Sequence, residues 1–290
     1  MARFLARLVK ANDRWAKPFG DFNHRWTSAL FRPIRPVKTL FNGTWLGHPV
    51  HPAITDVPIG AFLVAVVLDL VGEPTAAFWA IVIGQLAFLA SALTGIADFS
   101  DTDGTARTRA TTHGTIMVIG GAFTAASLIL RQGGTVEGPT QTIPLIIGFL
   151  VIAAGAFVGG DVVFALGNMV SRHAFRGAGV KWIRLDTGDV TDLMSLPEAT
   201  PTRMRAGIND LVVVRIADQL HALHAVCAHA GGPLPEGKVT PDGCLECPWH
   251  GARYRLSDGL VRRGPSVYDQ PAYEIRAAEA GGYEVRRRAS

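Results

Sequence analysis

The 290-residue chain is rich in apolar residues and short of charge: 48% of its residues are hydrophobic and only 18% charged, against about 25% charged in an average soluble domain. That balance sets the chain apart from an average soluble domain, and the length suggests two domains. The net charge is +4, and nine of the Lys/Arg fall in residues 1–47 beside only two acids, Asp13 and Asp21. Next to the apolar stretches that follow, this reads as a membrane-surface segment and not as a nucleic-acid patch, so no nucleic-acid partner is expected.

Residues 1–47 open with Phe4, Leu5, Leu8 and Val9 at helical spacing between Arg3, Arg7 and Lys10. No apolar core or small-residue cleavage site follows, which argues against a signal peptide. A basic amphipathic helix in the headgroup layer is expected, with Trp15 and Trp26 as interfacial anchors.

Residues 48–175 then carry four apolar runs, at about 53–71, 75–97, 111–130 and 143–166. Each is near the roughly 20 residues that cross a hydrocarbon core of about 30 Å. Gly84, Gly95, Gly120, Gly121, Gly148, Gly155, Gly159 and Gly160 punctuate them. So many glycines are costly in soluble helices but let membrane helices approach closely. An all-α four-helix transmembrane bundle is therefore predicted. The two loops that share one side contain a single basic residue, Arg131. The other side receives the basic N-terminal segment, Arg107, Arg109, Arg172, Arg176, Lys181 and Arg184. The positive-inside rule then places both termini in the cytoplasm of a multi-pass inner-membrane protein.

From about residue 180 to 288 charge rises and short β-type runs alternate with turns. Asp210–Ile216 and Gln219–Cys227 read as a hairpin about Ala217-Asp218, and Tyr273–Ala278 with Gly282–Val285 as a closing hairpin. A small all-β domain is expected. Two Gly- and Pro-rich loops interrupt it, residues 228–237 and 248–259.

Those loops carry the chemistry. Cys227-Ala-His229 is followed after seventeen residues by Cys247-Pro-Trp-His250-Gly251. Two thiolates on one iron and two imidazoles on another make the mixed ligand set of a [2Fe–2S] centre. Zinc is the competing metal, since Cys₂His₂ is also a zinc set. Zinc fingers usually group like ligands, whereas each loop here supplies one of each. Gly231, Gly232, Pro233 and Pro235, with Pro248 and Gly251, shape tight loops that aim backbone N–H groups at the sulfurs. Only three cysteines are present, so a structural disulfide would dismantle the site, which fits a reducing compartment. Cys244 reads as a buried small hydrophobe, and His221 and His224 as strand-face residues.

Cys227-Ala-His229-Ala-Gly-Gly-Pro-Leu, Cys247-Pro-Trp-His250-Gly-Ala-Arg-Tyr254 and the tail Gly264-Pro265 … Pro271-Ala-Tyr273 resemble Rieske-type ferredoxins over about residues 180–288. The resemblance implies a [2Fe–2S] cluster on Cys227, His229, Cys247 and His250, with Gly231, Gly251 and Tyr254 around it. Respiratory members add a cysteine to each box, forming a disulfide; this sequence has Gly232 and Trp249 there instead. Their serine donor to the cluster is Ala252 here, while Tyr254 retains a hydroxyl. A potential below respiratory centres, partly raised by Tyr254, is expected. Rieske oxygenases add a mononuclear iron domain; only forty residues follow His250, none of them histidine, so a carrier is expected, not an oxygenase catalytic subunit.

The membrane region holds its own histidines. His48-Pro-Val-His51-Pro enters the first run, His113 the third, and His173 follows the fourth. The orientation above gathers all four at the cytoplasmic end. Together with Asp56-Val-Pro-Ile-Gly and Leu93-Thr-Gly-Ile-Ala-Asp98, they resemble an uncharacterised bacterial family of four-helix membrane domains over about residues 44–180. Three readings stand: a b-type haem with two histidine ligands such as His51 and His113, a non-haem metal site, or polar capping of helix ends.

The function expected is a membrane-anchored carrier passing single electrons between a cytoplasmic reductase or oxidase and a membrane redox site or quinone. His229 and His250 would each turn a ring nitrogen to solvent, coupling reduction to protonation. The alternative is a redox or iron sensor, or tether, whose helices only anchor the cluster domain to the bilayer.

Overall fold

The computed structural model describes residues 10–132, 138–174 and 181–288; Phe4, Leu5, Leu8, Val9 and Arg176, used in the expectations above, lie outside them. The chain folds as two compact units, Met1–Val37 with Pro49–Asn168, and Lys38–His48 with Met169–Ser290.

The first unit is helical: α1 (Asp13–Phe31), α2 (Arg35–Asn42, which runs on into the second unit), α3 (Val50–Ile54), α4 (Asp56–Leu70), α5 (Pro74–Phe99), α6 (Gly104–Gln132) and α7 (Pro139–Phe164). Four spans are long and apolar enough to cross a membrane: Val50–Leu70, Pro74–Phe99, Gly104–Arg131 and Pro139–Phe164. Pro74 and Pro139 open their helices, where the missing N–H costs no intrahelical bond. Leu63, Val67, Leu86, Leu89, Val118, Leu150 and Phe157 point outward. An apolar exterior of this kind suits lipid and not water.

The interior is built on small residues. A Cβ at Gly148 would lie 2.9 Å from the Gly120 carbonyl and 2.9 Å from Thr124 N, so α6 and α7 meet backbone to backbone. A Cβ at Gly84 would lie 2.7 Å from the Phe62 ring, which is fully buried against it. Asp69 of α4 and Arg131 of α6 form a buried ion pair, with Arg131 Nη1 donating to Asp69 Oδ1 at 2.9 Å and Thr142 Oγ1 donating to Asp69 Oδ2 at 3.1 Å. Helix α1 lies along the bundle: Arg107 donates to Asp21 at 2.8 Å, Arg109 pairs with Asp13 at 3.3 Å, and Gly20 allows Thr111 to approach.

The second unit is all-β. One antiparallel sheet has the order β1-β10-β9-β4-β3-β2 and a smaller one β5-β6-β7-β8. The strands are β1 (Ile183–Arg184), β2 (Thr202–Ala206), β3 (Asn209–Ile216), β4 (Gln219–His224), β5 (Lys238–Val239), β6 (Cys244–Glu246), β7 (Arg253–Arg255), β8 (Val261–Arg263), β9 (Ala272–Ala277) and β10 (Tyr283–Arg287). Val212 and Val214 face a core shared with Leu245 and Tyr254 of the small sheet, whereas Leu211 and Val213 face a second core with Leu193, Leu196 and Val285. Burial on both faces explains the unbroken apolar run of β3. The two expected hairpins are β3–β4 and β9–β10. The separate small sheet and the edge strands β1 and β2 are additions that their two- to five-residue lengths hid in the sequence.

Candidate metal centre

The first box lies between β4 and β5 and the second between β6 and β7. Their backbones follow one plan. Cys227 N donates to Gly232 O at 2.9 Å, and Cys247 N to Ala252 O at 2.8 Å. Gly231 N donates to Cys227 O at 3.0 Å, and Gly251 N to Cys247 O at 3.1 Å. Both glycines have left-handed backbones, φ +88° and +74°, which a Cβ would strain. The repeated turn leaves the N–H groups after each cysteine aimed at its sulfur: those of His229 and Ala230 at Cys227, and those of Trp249 and His250 at Cys247.

Both cysteines are buried, 1% and 3% exposed, and their thiols hydrogen-bond each other. That bond, with the Tyr254 hydroxyl and the two N–H groups, brings the Cys227 thiol down to about 7, while the same partner and burial push Cys247 up. The rings of His229 and His250 stand edge to face, 5.1 Å apart. Among the described residues no three His, Cys, Asp or Glu side chains converge on one ion. A [2Fe–2S] cluster of this class asks two thiolates of one iron and two imidazoles of the other, and each loop here presents one cysteine and one histidine.

Tyr254, on β7, is fully buried, with its hydroxyl 3.1 Å from Cys227 Sγ. Gly232 is required by space: a Cβ there would sit 2.8 Å from Cys247 Sγ and 3.1 Å from the Trp249 ring. His250 is partly exposed and Trp249 beside it is 52% exposed. His229 differs from the expectation of two solvent-facing imidazoles, because it is only 7% exposed. Burial, then His250, Lys38 and Arg172, lower its pKa to about 3.

His173 also has a place here. Its Nε2 donates to Val226 O at 2.8 Å, its ring lies 4.6 Å from that of His224, and Arg172 N donates to Ala228 O at 3.2 Å. The segment after the last membrane helix is thus stitched to the first box. His48 belongs to the same unit. Of the four membrane-region histidines the structure brings together His51 and His113, whose rings are 6.2 Å apart in the helical unit.

Gln270 was not singled out from sequence. It is buried, accepts from Ala228 N at 2.9 Å, and donates to the carbonyls of His224 at 2.6 Å and Val226 at 2.8 Å. One amide among loop residues carries no signal of such a role. Cys244 is buried and burial raises its pKa, the behaviour of a small core residue.

Residues 187–274 match the family described as Rieske [2Fe-2S] domain, and residues 47–174 the one described as Predicted membrane protein (DUF2231). The anthranilate 1,2-dioxygenase ferredoxin subunit of Burkholderia cepacia is 36% identical over 88 residues, 30% of this chain and 80% of that protein. Ferredoxin CarAc of Metapseudomonas resinovorans is 30% identical over 79 residues, 27% of this chain and 73% of that protein. The ferredoxin of carbazole 1,9a-dioxygenase from Nocardioides aromaticivorans IC177 shares 24% identity across 38% of this chain and 99% of its own, with a TM-score of 0.31. The family matches and the ferredoxin relatives define an iron–sulfur protein of the Rieske class with membrane-length helices. The chain belongs to the ferredoxin-type Rieske family through its β unit, and that domain is joined to a DUF2231 membrane domain.

Proposed function

We propose that the chain is a membrane-anchored electron carrier of the bacterial inner membrane, with both termini in the cytoplasm. Cys227 and Cys247 would hold one iron of the cluster, and His229 and His250 the other. A [2Fe–2S] centre held there takes up and releases single electrons. The chain's own residues supply the rest. The N–H groups of His229, Ala230, Trp249 and His250 stabilise negative charge on the sulfurs, and Tyr254 adds a hydroxyl. Buried His229 is shielded from solvent, so proton exchange and partner contact fall to His250 and exposed Trp249.

The observation that carries this reading is the pair of mirrored loops, each presenting one buried cysteine and one histidine. Likeness to dioxygenase ferredoxin subunits supports a reductase or an oxidase as the cytoplasmic partner. A quinone, or a redox centre such as a haem on the histidines of the helical unit, would be the membrane partner. The test is stopped-flow reduction of the full-length protein in nanodiscs by a ferredoxin reductase, with cluster EPR and quinone reduction followed together. A reducible cluster whose electron leaves for a quinone or a membrane chromophore is the expected result. A cluster that is reduced but delivers to neither would favour the sensor or tether and overturn transfer.

A further inference from the structure

The helical unit contains its own internal repeat. One constant sequence offset separates His51 from His113, Phe62 from Thr124 and Asp69 from Arg131; a second separates Gly84 from Gly148, Ser91 from Gly155 and Gly95 from Gly159. The contacts repeat with the residues. His51 Nδ1 donates to Ser91 O at 2.9 Å, and His113 Nδ1 to Gly155 O at 2.8 Å. A Cβ at Gly95 would lie 2.9 Å from the His51 ring, and one at Gly159 2.9 Å from the His113 ring. A Cβ at Gly84 meets Phe62 at 2.7 Å, and one at Gly148 meets Thr124 at 2.7 Å. The unit is thus two copies of one helix hairpin, α3–α4–α5 and α6–α7.

Two of the equivalent pairs also touch each other: the rings of His51 and His113, and the buried pair Asp69–Arg131. Equivalent residues meet only on a symmetry axis. Each hairpin crosses the membrane twice, so the copies run the same way and the axis lies along the membrane normal. His51 and His113 sit on it at the end where α3 and α6 begin, and Asp69–Arg131 where α4 and α6 end.

The hydrogen bonds fix the chemistry of the histidine pair. A carbonyl only accepts, so each Nδ1 carries a proton and each Nε2 of the neutral ring is a bare lone pair. Among the described residues neither Nε2 has a hydrogen-bond donor. Nδ1–H to a backbone carbonyl is the support that metal-ligating histidines commonly use. Two imidazoles bonded at about 2.0–2.1 Å on opposite sides of one metal would place their ring centres roughly 6 Å apart, and here the separation is 6.2 Å. No third His, Cys, Asp or Glu among the described residues joins them, so a bare ion would be left short of ligands. A metal that brings its own equatorial nitrogens would not.

We propose that His51 and His113 are the two axial ligands of a haem on the pseudo-two-fold axis of the helical unit. This deepens the membrane redox centre proposed above, and it excludes His48 and His173 from the ligand set.

The test uses full-length protein in detergent, expressed with haem precursor, and reads bound haem by optical spectrum and low-spin EPR and the Rieske cluster by its own EPR signal. Wild type, His48→Ala and His173→Ala are expected to hold low-spin haem. His51→Ala and His113→Ala should lower haem affinity about tenfold or more, or turn the spectrum high-spin, with the cluster signal intact. His51→Met, which keeps a ligand, should hold haem with a shifted spectrum, so a folding failure of the alanine variants leaves the test standing. Absence of haem from wild type, or an unchanged low-spin spectrum in His51→Ala, His113→Ala and His51→Met, would overturn the proposal. Loss of the cluster signal alone would instead count against the electron-carrier reading.

Discussion

The Tyr254 hydroxyl lies 3.1 Å from Cys227 Sγ, on a side chain with no solvent exposure. A hydrogen bond to a cluster sulfur stabilises the more negative, reduced state. Tyr254→Phe removes the hydroxyl and little else. The midpoint potential should fall by roughly 60 mV, since a hydrogen bond to a charged group contributes about 1.5 kcal/mol and a tenfold change in a one-electron equilibrium is about 59 mV. An EPR-monitored redox titration measures it. An unchanged potential would mean that the hydroxyl does not tune the cluster.

Gly232 is held by space. A Cβ there would come within 2.8 Å of Cys247 Sγ and 3.1 Å of the Trp249 ring. Gly232→Ala should therefore displace Cys247 or Trp249 and lower iron and sulfide per chain well below wild type. Gly243→Ala is a useful contrast, because nothing lies within 4 Å of its Cβ, although its φ of +71° carries a backbone cost. Equal cluster content in Gly232→Ala and wild type, by iron and sulfide analysis, would refute the packing argument.

What the sequence made legible follows from how local each signal is. The two boxes are short and contiguous, so Cys227, His229, Cys247 and His250 could be put forward as candidate ligands from the sequence. The four apolar spans could be read because lipid imposes length and composition on each separately. The roles of Gln270 and His173 could not. Each is a single polar residue whose partners, Ala228, Val226 and His224, are set by tertiary packing. The histidines at the start of the helices looked like one group of four. Helix ends fix depth in a membrane but not lateral position, and within the helical unit the rings of His51 and His113 meet.

Gln270 ties three backbone groups of the first box from a fully buried position. Gln270→Leu keeps the volume and strands the Ala228 N–H and removes the amide donor from the His224 carbonyl, while His173 still donates to the Val226 carbonyl. Each unmet buried group costs about 1–3 kcal/mol, so a loss of roughly 3 kcal/mol is expected. Thermal bleaching of the cluster, followed by visible circular dichroism, should begin several degrees earlier than in wild type. A midpoint unchanged within error would show that water replaces the amide.

Iron-free protein should weaken in acid through His229. Its folded pKa of about 3 lies below the ordinary 6.5. The unfolded chain gains a proton as pH falls through 6.5, while the folded chain gains it only near 3. Stability is therefore full above 6.5 and is lost as pH falls toward 3, by up to about 1.4 kcal/mol per unit. Chelator-stripped wild type should lose more stability between pH 7 and pH 5 than stripped His229→Asn. Parallel losses, read by tryptophan fluorescence during unfolding, would exclude His229 as the source.

Asp69 and Arg131 close the far end of the helical unit, with side chains only 2% and 4% exposed. Arg131 lies in the last turn of α6, and the structure gives it a buried partner. Removing either charge leaves the other buried and unpaired, at a cost of about 3–5 kcal/mol. Asp69→Ala and Arg131→Ala should each destabilise by that order in a mixed-micelle unfolding titration. Because the two positions are equivalent in the internal repeat, the exchange Asp69→Arg with Arg131→Asp places each charge in its partner's setting. It should recover most of the loss, apart from the Thr142 hydroxyl bond to Asp69. Additive destabilisation in the exchanged protein would mean that the pair is not symmetric and would weaken the case for the axis on which His51 and His113 meet.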